Sequence, residues 1–344
     1  MLTWGGVSYA WSSPAIIGLG VGSLVLFASF ARIEQRADEP IVPLHLFRNA
    51  VFRTSFTVGG VVGFAMFGAL TFLPLFLQIV HGASPTSSGL QLAPIMAFVL
   101  IMSIYSGRRI SATGKYRRFP IAGTTLMLTS LYLFSHLTIS TPFWQIVIFM
   151  SLMGMGMGMT MQVLLLVAQN SVEYSELGVA TSLAAFGRSI GGAVGVAIGG
   201  TILSSRLSHN LATQVAKIPH GGLTNPAIQA AITKVHGGSV TASPALIQRM
   251  PAVVQNAVKV GFSDSLHVVF LASVPVAALG VIGALMLKEV PLRGTGHEPA
   301  LAQDHELAEG LEIAESMGLP APEEIEELEL PAKKPAAKRS APAR

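Results

Sequence analysis

The sequence predicts an all-α integral membrane protein, a polytopic bundle of about seven transmembrane helices. Three observations carry that expectation. The 344 residues are 51% hydrophobic and only 12% charged, where a soluble domain averages about 25% charged, and the mean hydropathy is +0.58. Apolar stretches close to the roughly 20 residues a bilayer requires recur along the chain. Basic residues gather in alternate short connections between them.

Taken in order, the candidate spans are Pro14–Phe30, Phe56–Val80, Gly89–Tyr105, Phe119–Leu137, Phe143–Ala168, Ala180–Leu203 and Ser265–Leu287. Short polar turns join most of them. The expected organisation is an outer loop and linker helix over 1–31, a cytoplasmic linker over 32–55, a six-helix bundle over 56–287 and a tail over 288–344. A long, weakly polar outer loop, Ser204–Asp264, interrupts the bundle, and pieces of it such as Pro244–Lys259 read as short surface helices. The tail combines the acidic stretch "EEIEELEL" with "PAKKPAAKRSAPAR". Proline, alanine and like charges cannot build a core, so a disordered or partly helical tail is expected.

Charge is divided the same way. Eighteen residues are acidic, and eleven of them lie between Glu298 and Glu329. The net charge of +4 averages two unlike regions, so it does not indicate nucleic-acid binding. No cysteine is present, which excludes disulfides, thiolate metal sites and cysteine catalysis. The opening "MLTWGGVSYAW" lacks the basic start of a cleavable signal peptide.

The basic residues orient the spans. Arg32, Arg36, Arg48 and Arg53 lie between the first two; Arg108, Arg109, Lys115, Arg117 and Arg118 lie between the third and fourth. The loops around His81 and His136 contain neither Lys nor Arg. The positive-inside rule then puts the first set in the cytoplasm, with the Ser204–Asp264 loop outside and the tail inside a cell (inner) membrane.

The run "FGRSIGGAVGVAIGGTIL" raises the question of a phosphate-binding loop. Gly187 and Gly192 have Walker spacing, but Ala193 and Val194 follow, so no lysine reaches a phosphate. Gly187, Gly191, Gly195 and Gly199 instead recur every fourth residue. They mark one face of a helix where a neighbour packs closely, or a smooth seam along which helices slide. "GMGMGM" from Gly154 lacks the third glycine of a dinucleotide fingerprint. Its spacing of two scatters glycines over opposite faces, in a thin, bendable helix whose methionines fill irregular gaps.

The blocks "PIVPLHLFRNAVFRTSF", "LPLFLQIVHGASPTSSGLQLAP", "SGRRISATGKYRRFP" and "VAQNSVEYSELGVATSLAAFGRSIGGAVGVAIGGTIL" resemble the major facilitator superfamily. More closely, they resemble its fourteen-span drug:proton antiporters of the EmrB/QacA type. The resemblance runs from Met1 to about Pro291 and implies the eighth to fourteenth spans, without the amino-terminal six-span domain and one linker helix. Gly107, Arg108, Arg109, Gly114, Lys115 and Arg117 resemble the second copy of the superfamily's loop motif, which locks two helices at the inner face. Ser111 stands where that motif often has Asp, which favours simple positive-inside anchoring over a charge-relay gate.

Polar residues within spans are few: Gln78, Gln91, Gln162 and Gln169, with Asn170 at an inner edge. Each either hydrogen-bonds a neighbouring helix or lines a cavity. Gln78 is expected to share a helical face with Leu75, Phe76 and, a turn further, Phe72 and Thr71. Phe72, Phe76, Gln78, Gln91 and Gln162 form a candidate substrate cavity suited to amphipathic compounds. Arg188 reads as an interfacial anchor, the partner of Glu173 or Glu176, or a substrate-binding charge. No metal-ligand or nucleophile–base pattern appears, so neither metal, cofactor nor enzymatic activity is expected.

The leading functional expectation is proton-coupled export of hydrophobic or cationic small molecules by alternating access, with the lipid bilayer as surroundings. No Asp or Glu lies inside the seven spans. The missing half, or another subunit, would then supply the proton carrier. The alternatives are a truncated or accessory membrane protein that does not transport, and one half of a split transporter.

Overall fold

The computed structural model describes residues 13–34, 42–216, 247 and 251–291. The chain divides between Val290 and Pro291 into two units. Helix is the only regular secondary structure among the first unit's described residues; the second, beyond Pro291, lies outside them, as do 292–344 of the expected tail, 217–246 and 248–250 of the long loop, 1–12 of the expected outer loop and 35–41 of the expected linker.

Eight helices are described: α1 (Pro14–Glu34), α2 (Ala50–Ile79), α3 (Pro85–Leu90), α4 (Ala93–Thr113), α5 (Arg118–Ser135), α6 (Phe143–Asn170), α7 (Leu177–Ala216) and α8 (Ala252–Met286). Among the described residues, six segments are long and apolar enough to cross a membrane. α5 is not among them, although it coincides with the expected span Phe119–Leu137. Its apolar content is diluted by hydroxyls. Thr124, Thr125, Thr129 and Ser135 each return a hydrogen bond to a carbonyl on their own helix, and Ser130 donates to the Phe149 carbonyl of α6 at 2.7 Å. Hydroxyls satisfied in this way add little cost to burial.

Local signals explain the helix ends. Asn49 caps α2, its side-chain oxygen accepting from the Val51 and Phe52 N–H groups. Its amide donates to the Ser171 carbonyl at 2.7 Å, tying the start of α2 to the α6–α7 connection. Ser84 caps α3 with Pro85 in the first turn. Gly114 ends α4 with φ 67°, and its N–H reaches the Ile110 carbonyl. A left-handed residue at that position is what glycine supplies most cheaply. Gly107 lies within α4, so of the two glycines of the loop motif only Gly114 makes a turn.

Two helices are central. Their most apolar windows are 56% buried in α2 and 50% in α6, against 11% in the α3–α4 segment. α2 packs along α7 and α8, α6 packs along α4 and α5, and α8 also packs on α5 and α7. One contiguous core of Phe72, Leu73, Phe76, Met127, Phe134, Met153, Phe262 and Phe270, among others, joins these elements. A smaller cluster of Leu46, Phe52, Ala168, Val172, Ala180 and Leu183 closes the end where α2 and α7 begin.

The outer surface is apolar. Leu100, Ile101 and Ile104 on α4, Phe186, Ile190 and Ile198 on α7, and Leu279 and Ile282 on α8 are all exposed. A belt of that size suits lipid rather than water. α1 carries the same character further, with Leu24 and Phe27 each 71% exposed, and stands largely apart from the bundle.

The expected loop Ser204–Asp264 is shorter than hydropathy indicates. α7 continues to Ala216 and α8 begins at Ala252, so 252–259 belong to α8 and not to a separate surface helix. The two extensions support one another. Asn210 donates to the Ser265 hydroxyl at 3.0 Å, and Gly261 lies against Leu211. Asp264, expected in the loop, stands exposed on α8.

Candidate functional site

The glycine run faces α2. A Cβ added at Gly191 would strike the Gly60 carbonyl, one at Gly195 would lie 2.6 Å from the Phe64 carbonyl oxygen, and one at Gly187 would lie 2.6 Å from the Phe56 ring. Gly199 receives the Phe72 ring. α2 answers with Gly63, where a Cβ would strike the Arg188 backbone. Backbone thus meets backbone over several turns. A side chain on either helix would force them apart.

The second glycine run works on two sides. Gly154 and Gly158 lie against the Ile95 and Val99 carbonyls of α4, while Gly156 lies against Gly123 and Met127 of α5. Spacing of two thus lets α6 sit closely between two neighbours. α6 runs unbroken through this stretch, with Met150, Met153 and Met157 buried beside the glycines. Close packing on both flanks explains the pattern better than a bend.

The candidate cavity residues are not gathered in one place. Phe76 is fully buried with its edge to His81, and Phe72 is buried against Gly199 and α8. Both rings sit on a central helix and fill the core, so neither lines an open cleft in this arrangement. Gln78 donates to Ser88 of α3 at 2.9 Å. Gln91 donates weakly to Ser87 at 3.3 Å, and its side-chain oxygen is buried without a partner. Gln162 is exposed on α6. Gln169 donates to Thr181 at 2.8 Å, joining α6 to α7.

The basic loop carries a clamp that pattern reading missed. Arg108, Arg109 and Lys115 are exposed, with the Arg109 guanidinium 5.9 Å from the centre of the Tyr105 ring. Tyr116 is fully buried. Its hydroxyl donates to the Lys288 carbonyl at 2.9 Å and accepts from the Val290 N–H at 2.8 Å. Arg117 donates to the Leu285 carbonyl at 2.7 Å. These contacts satisfy carbonyls that the end of α8 leaves open, and the cation suits the negative end of the helix dipole. A lone tyrosine among arginines has no periodic signature to reveal it.

Two of the hollows between helices are lined by described residues. One, bounded by α2, α5 and α8, is lined by Val61, Val62, Ala65, Thr124, Met127 and Ala277 and is almost wholly apolar. The other lies between α2, α6 and α7. It is a narrow, partly open hollow, with a volume of about 10 Å³, and its walls include Ser55, Gly59, Met161, Leu164, Ala184 and Arg188. The Ser55 hydroxyl is buried there without a hydrogen-bond partner. Among the described residues Arg188 makes no ion pair. The expected partner Glu176 is instead paired with His45 at 2.5 Å, across the same end of the bundle. No group of three metal-binding side chains occurs among the described residues.

The Major Facilitator Superfamily model matches residues 1–196. An uncharacterized MFS-type transporter of Mycobacterium tuberculosis is 36% identical over 290 residues, covering 84% of this chain and 40% of the relative. The multidrug transporter protein MdtP of Bacillus subtilis is 33% identical, covering 85% of this chain and 56% of the relative. A tetracycline resistance determinant of Streptomyces rimosus is 29% identical, covering 83% and 86%. The chain therefore spans about half the length of the first two. Among solved structures, a bacterial homologue of the human lysosomal transporter Spinster, inward-facing and occupied, superposes over 70% of this chain and 49% of its own. The TM-score is 0.50 and the identity 16%, a likeness of fold.

Proposed function

The chain belongs to the major facilitator superfamily, a family of membrane transporters rather than enzymes, and from that premise we propose that it forms the carboxy-terminal bundle of a secondary drug exporter. The exporter would be of the fourteen-span type, moving drugs or other amphipathic small molecules by alternating access and coupled to protons. One observation carries the reading. Two central helices, α2 and α6, each hold their own pair of neighbours, with backbone-close glycine contacts on both. Rigid, tightly seamed bundles of this kind rock as units around a site at their shared face. The names of the relatives, a multidrug transporter and a tetracycline resistance determinant, support the substrate class.

Such a site needs a second bundle. It is supplied by an amino-terminal half, another subunit or a second copy. The carboxylates among the described residues are Glu34, Glu173, Glu176, Asp264 and Glu289, and all stand toward helix ends or on the surface of α8, so the proton carrier belongs to that second bundle. Met1–Arg344 expressed alone in an efflux-deficient host is expected to give little resistance to a panel of cationic, zwitterionic and acidic compounds. Joining an amino-terminal six-helix bundle ahead of it should produce uncoupler-sensitive efflux. In that longer protein, Gln162→Ala should alter which compounds leave more than how much protein accumulates. Strong efflux by the short chain alone would overturn the need for an amino-terminal half and leave a second copy of this chain as the other bundle.

The orientation is proposed from the same loops. The α4–α5 connection and the tail face the cytoplasm of a cell-membrane protein, and the α5–α6 turn faces outside. Reporter fusions at Lys115 and Ser140 should give opposite signals; matching signals would refute it.

A further inference from the structure

We infer that the hollow between α2, α6 and α7 is a seat for the carboxylate of an acidic or zwitterionic amphiphile, held by Arg188 and Ser55. Arg188 lies roughly 16 Å along α7 from Leu177, at about 1.5 Å per residue. Helical side chains slant toward the N-terminus. The Arg188 side chain accordingly shares the hollow with Ala184, one turn back, and with Ser55 near the start of the parallel α2. A cation among Val62, Met161 and Leu164 is costly without a counter-charge. None is provided by the described residues, where Arg188 pairs with no carboxylate and Glu176 is committed to His45.

Simple anchoring of Arg188 at the membrane boundary leaves two features unexplained. The Ser55 hydroxyl is buried in the same hollow with no partner, an arrangement that normally costs about 1–3 kcal/mol. Beside it, Gly59 has nothing within 4 Å of where a Cβ would stand, so the wall there is left open. A carboxylate accounts for all three. It takes two hydrogen bonds from a guanidinium in the planar fork geometry, and it accepts a third from a serine hydroxyl. The body of the molecule then lies outside the hollow, along the surface a second bundle would face. This rests on the transporter reading above for the fate of the compound, but seating itself requires only this bundle.

The test uses two xanthene dyes of opposite charge, fluorescein and rhodamine 6G, and the purified 344-residue chain in lipid nanodiscs, with binding read by fluorescence anisotropy. Fluorescein should bind at least tenfold more tightly than rhodamine 6G. Arg188→Gln should weaken fluorescein at least tenfold, Arg188→Lys by a smaller factor, and Ser55→Ala several-fold. Gly59→Val, which fills the hollow and leaves the charge in place, should also weaken it at least tenfold. Arg206→Gln, exposed elsewhere on α7, should have no effect. Melting temperatures of the variants separate lost binding from lost folding. Equal binding of both dyes, or fluorescein binding unmoved by Arg188→Gln and Gly59→Val, would overturn the proposal. The same holds if those variants leave dye binding intact yet abolish export of both dyes in a two-bundle protein. That result would assign Arg188 to a carboxylate of the opposing bundle. Absence of export with dye binding as expected would count against the exporter reading alone.

Discussion

Gly191→Leu is expected to destabilise the bundle by about 3 kcal/mol or more, at the upper end of overpacking penalties, and to reduce the yield of folded protein sharply. The reason is what the new side chain would meet. At Gly191 the obstruction is the Gly60 carbonyl and Cα, not the end of a flexible side chain. Helix backbone cannot rotate away without breaking its own hydrogen bonds, so α2 and α7 must separate along the seam. Gly63→Ala should be costly for the same reason, because its Cβ would strike the Arg188 carbonyl. The contrast is Gly60→Ala. There the nearest atom would be the Gly187 carbonyl oxygen at 3.5 Å, an ordinary contact. Alanine also favours a helix over glycine by about 1 kcal/mol, so Gly60→Ala should be neutral or stabilising. Leucine at exposed Ala193 should be mild. Thermal unfolding of the four variants in detergent measures the order. Equal behaviour of Gly191→Leu and Ala193→Leu would refute the seam.

What could be read from the chain alone follows from how local each signal is. The helices were legible because a span is a property of about 20 consecutive residues. The glycine face was legible because a period of four survives without knowledge of the neighbour. The ends of α7 and α8 were not. Residues 204–216 and 252–264 are only weakly apolar, and they stay helical because Asn210, Leu211, Gly261 and Ser265 meet across the pair. Propensity yields to tertiary contact there. The spacing of "GMGMGM" revealed two faces but could not say that α4 and α5 occupy them. For the site, Phe72 and Phe76 do share one face of α2, but Gln78 stands two residues past Phe76 on another face and turns to Ser88, and a periodic face does not say whether it meets core or cleft. Both rings meet core. Arg188 was noticed as a charge in an apolar helix, but its unpaired state depends on Glu176 turning to His45, and no sequence rule gives that.

Tyr116→Ala should cost about 3–5 kcal/mol, the range for deleting a large buried ring, and should release the end of α8 from the α4–α5 connection. Tyr116→Phe separates the two parts of that loss. It keeps the ring and removes the hydroxyl, leaving the Lys288 carbonyl and the Val290 N–H without their shared partner, for about 1–3 kcal/mol. Arg117→Gln, which weakens the contact to the Leu285 carbonyl at an exposed position, should cost less than either. Alkaline pH provides an independent readout. Burial pushes the Tyr116 phenol above its ordinary value of 10.0, the hydrogen bond from Val290 draws it partly back, and the Glu289 carboxylate adds a further push upward. A group whose pKa is raised on folding stabilises fully below its unfolded value and loses that stabilisation as pH rises through the folded one. The clamp should therefore hold unchanged up to about pH 10 and weaken above it, because the hydroxyl must keep its proton to donate to Lys288. Melting temperature followed against pH should fall in that alkaline range for the wild-type chain, and the fall should be smaller in Tyr116→Phe. Identical alkaline profiles for the two proteins, or a Tyr116→Ala variant as stable as wild type, would show that this loop does not hold α8.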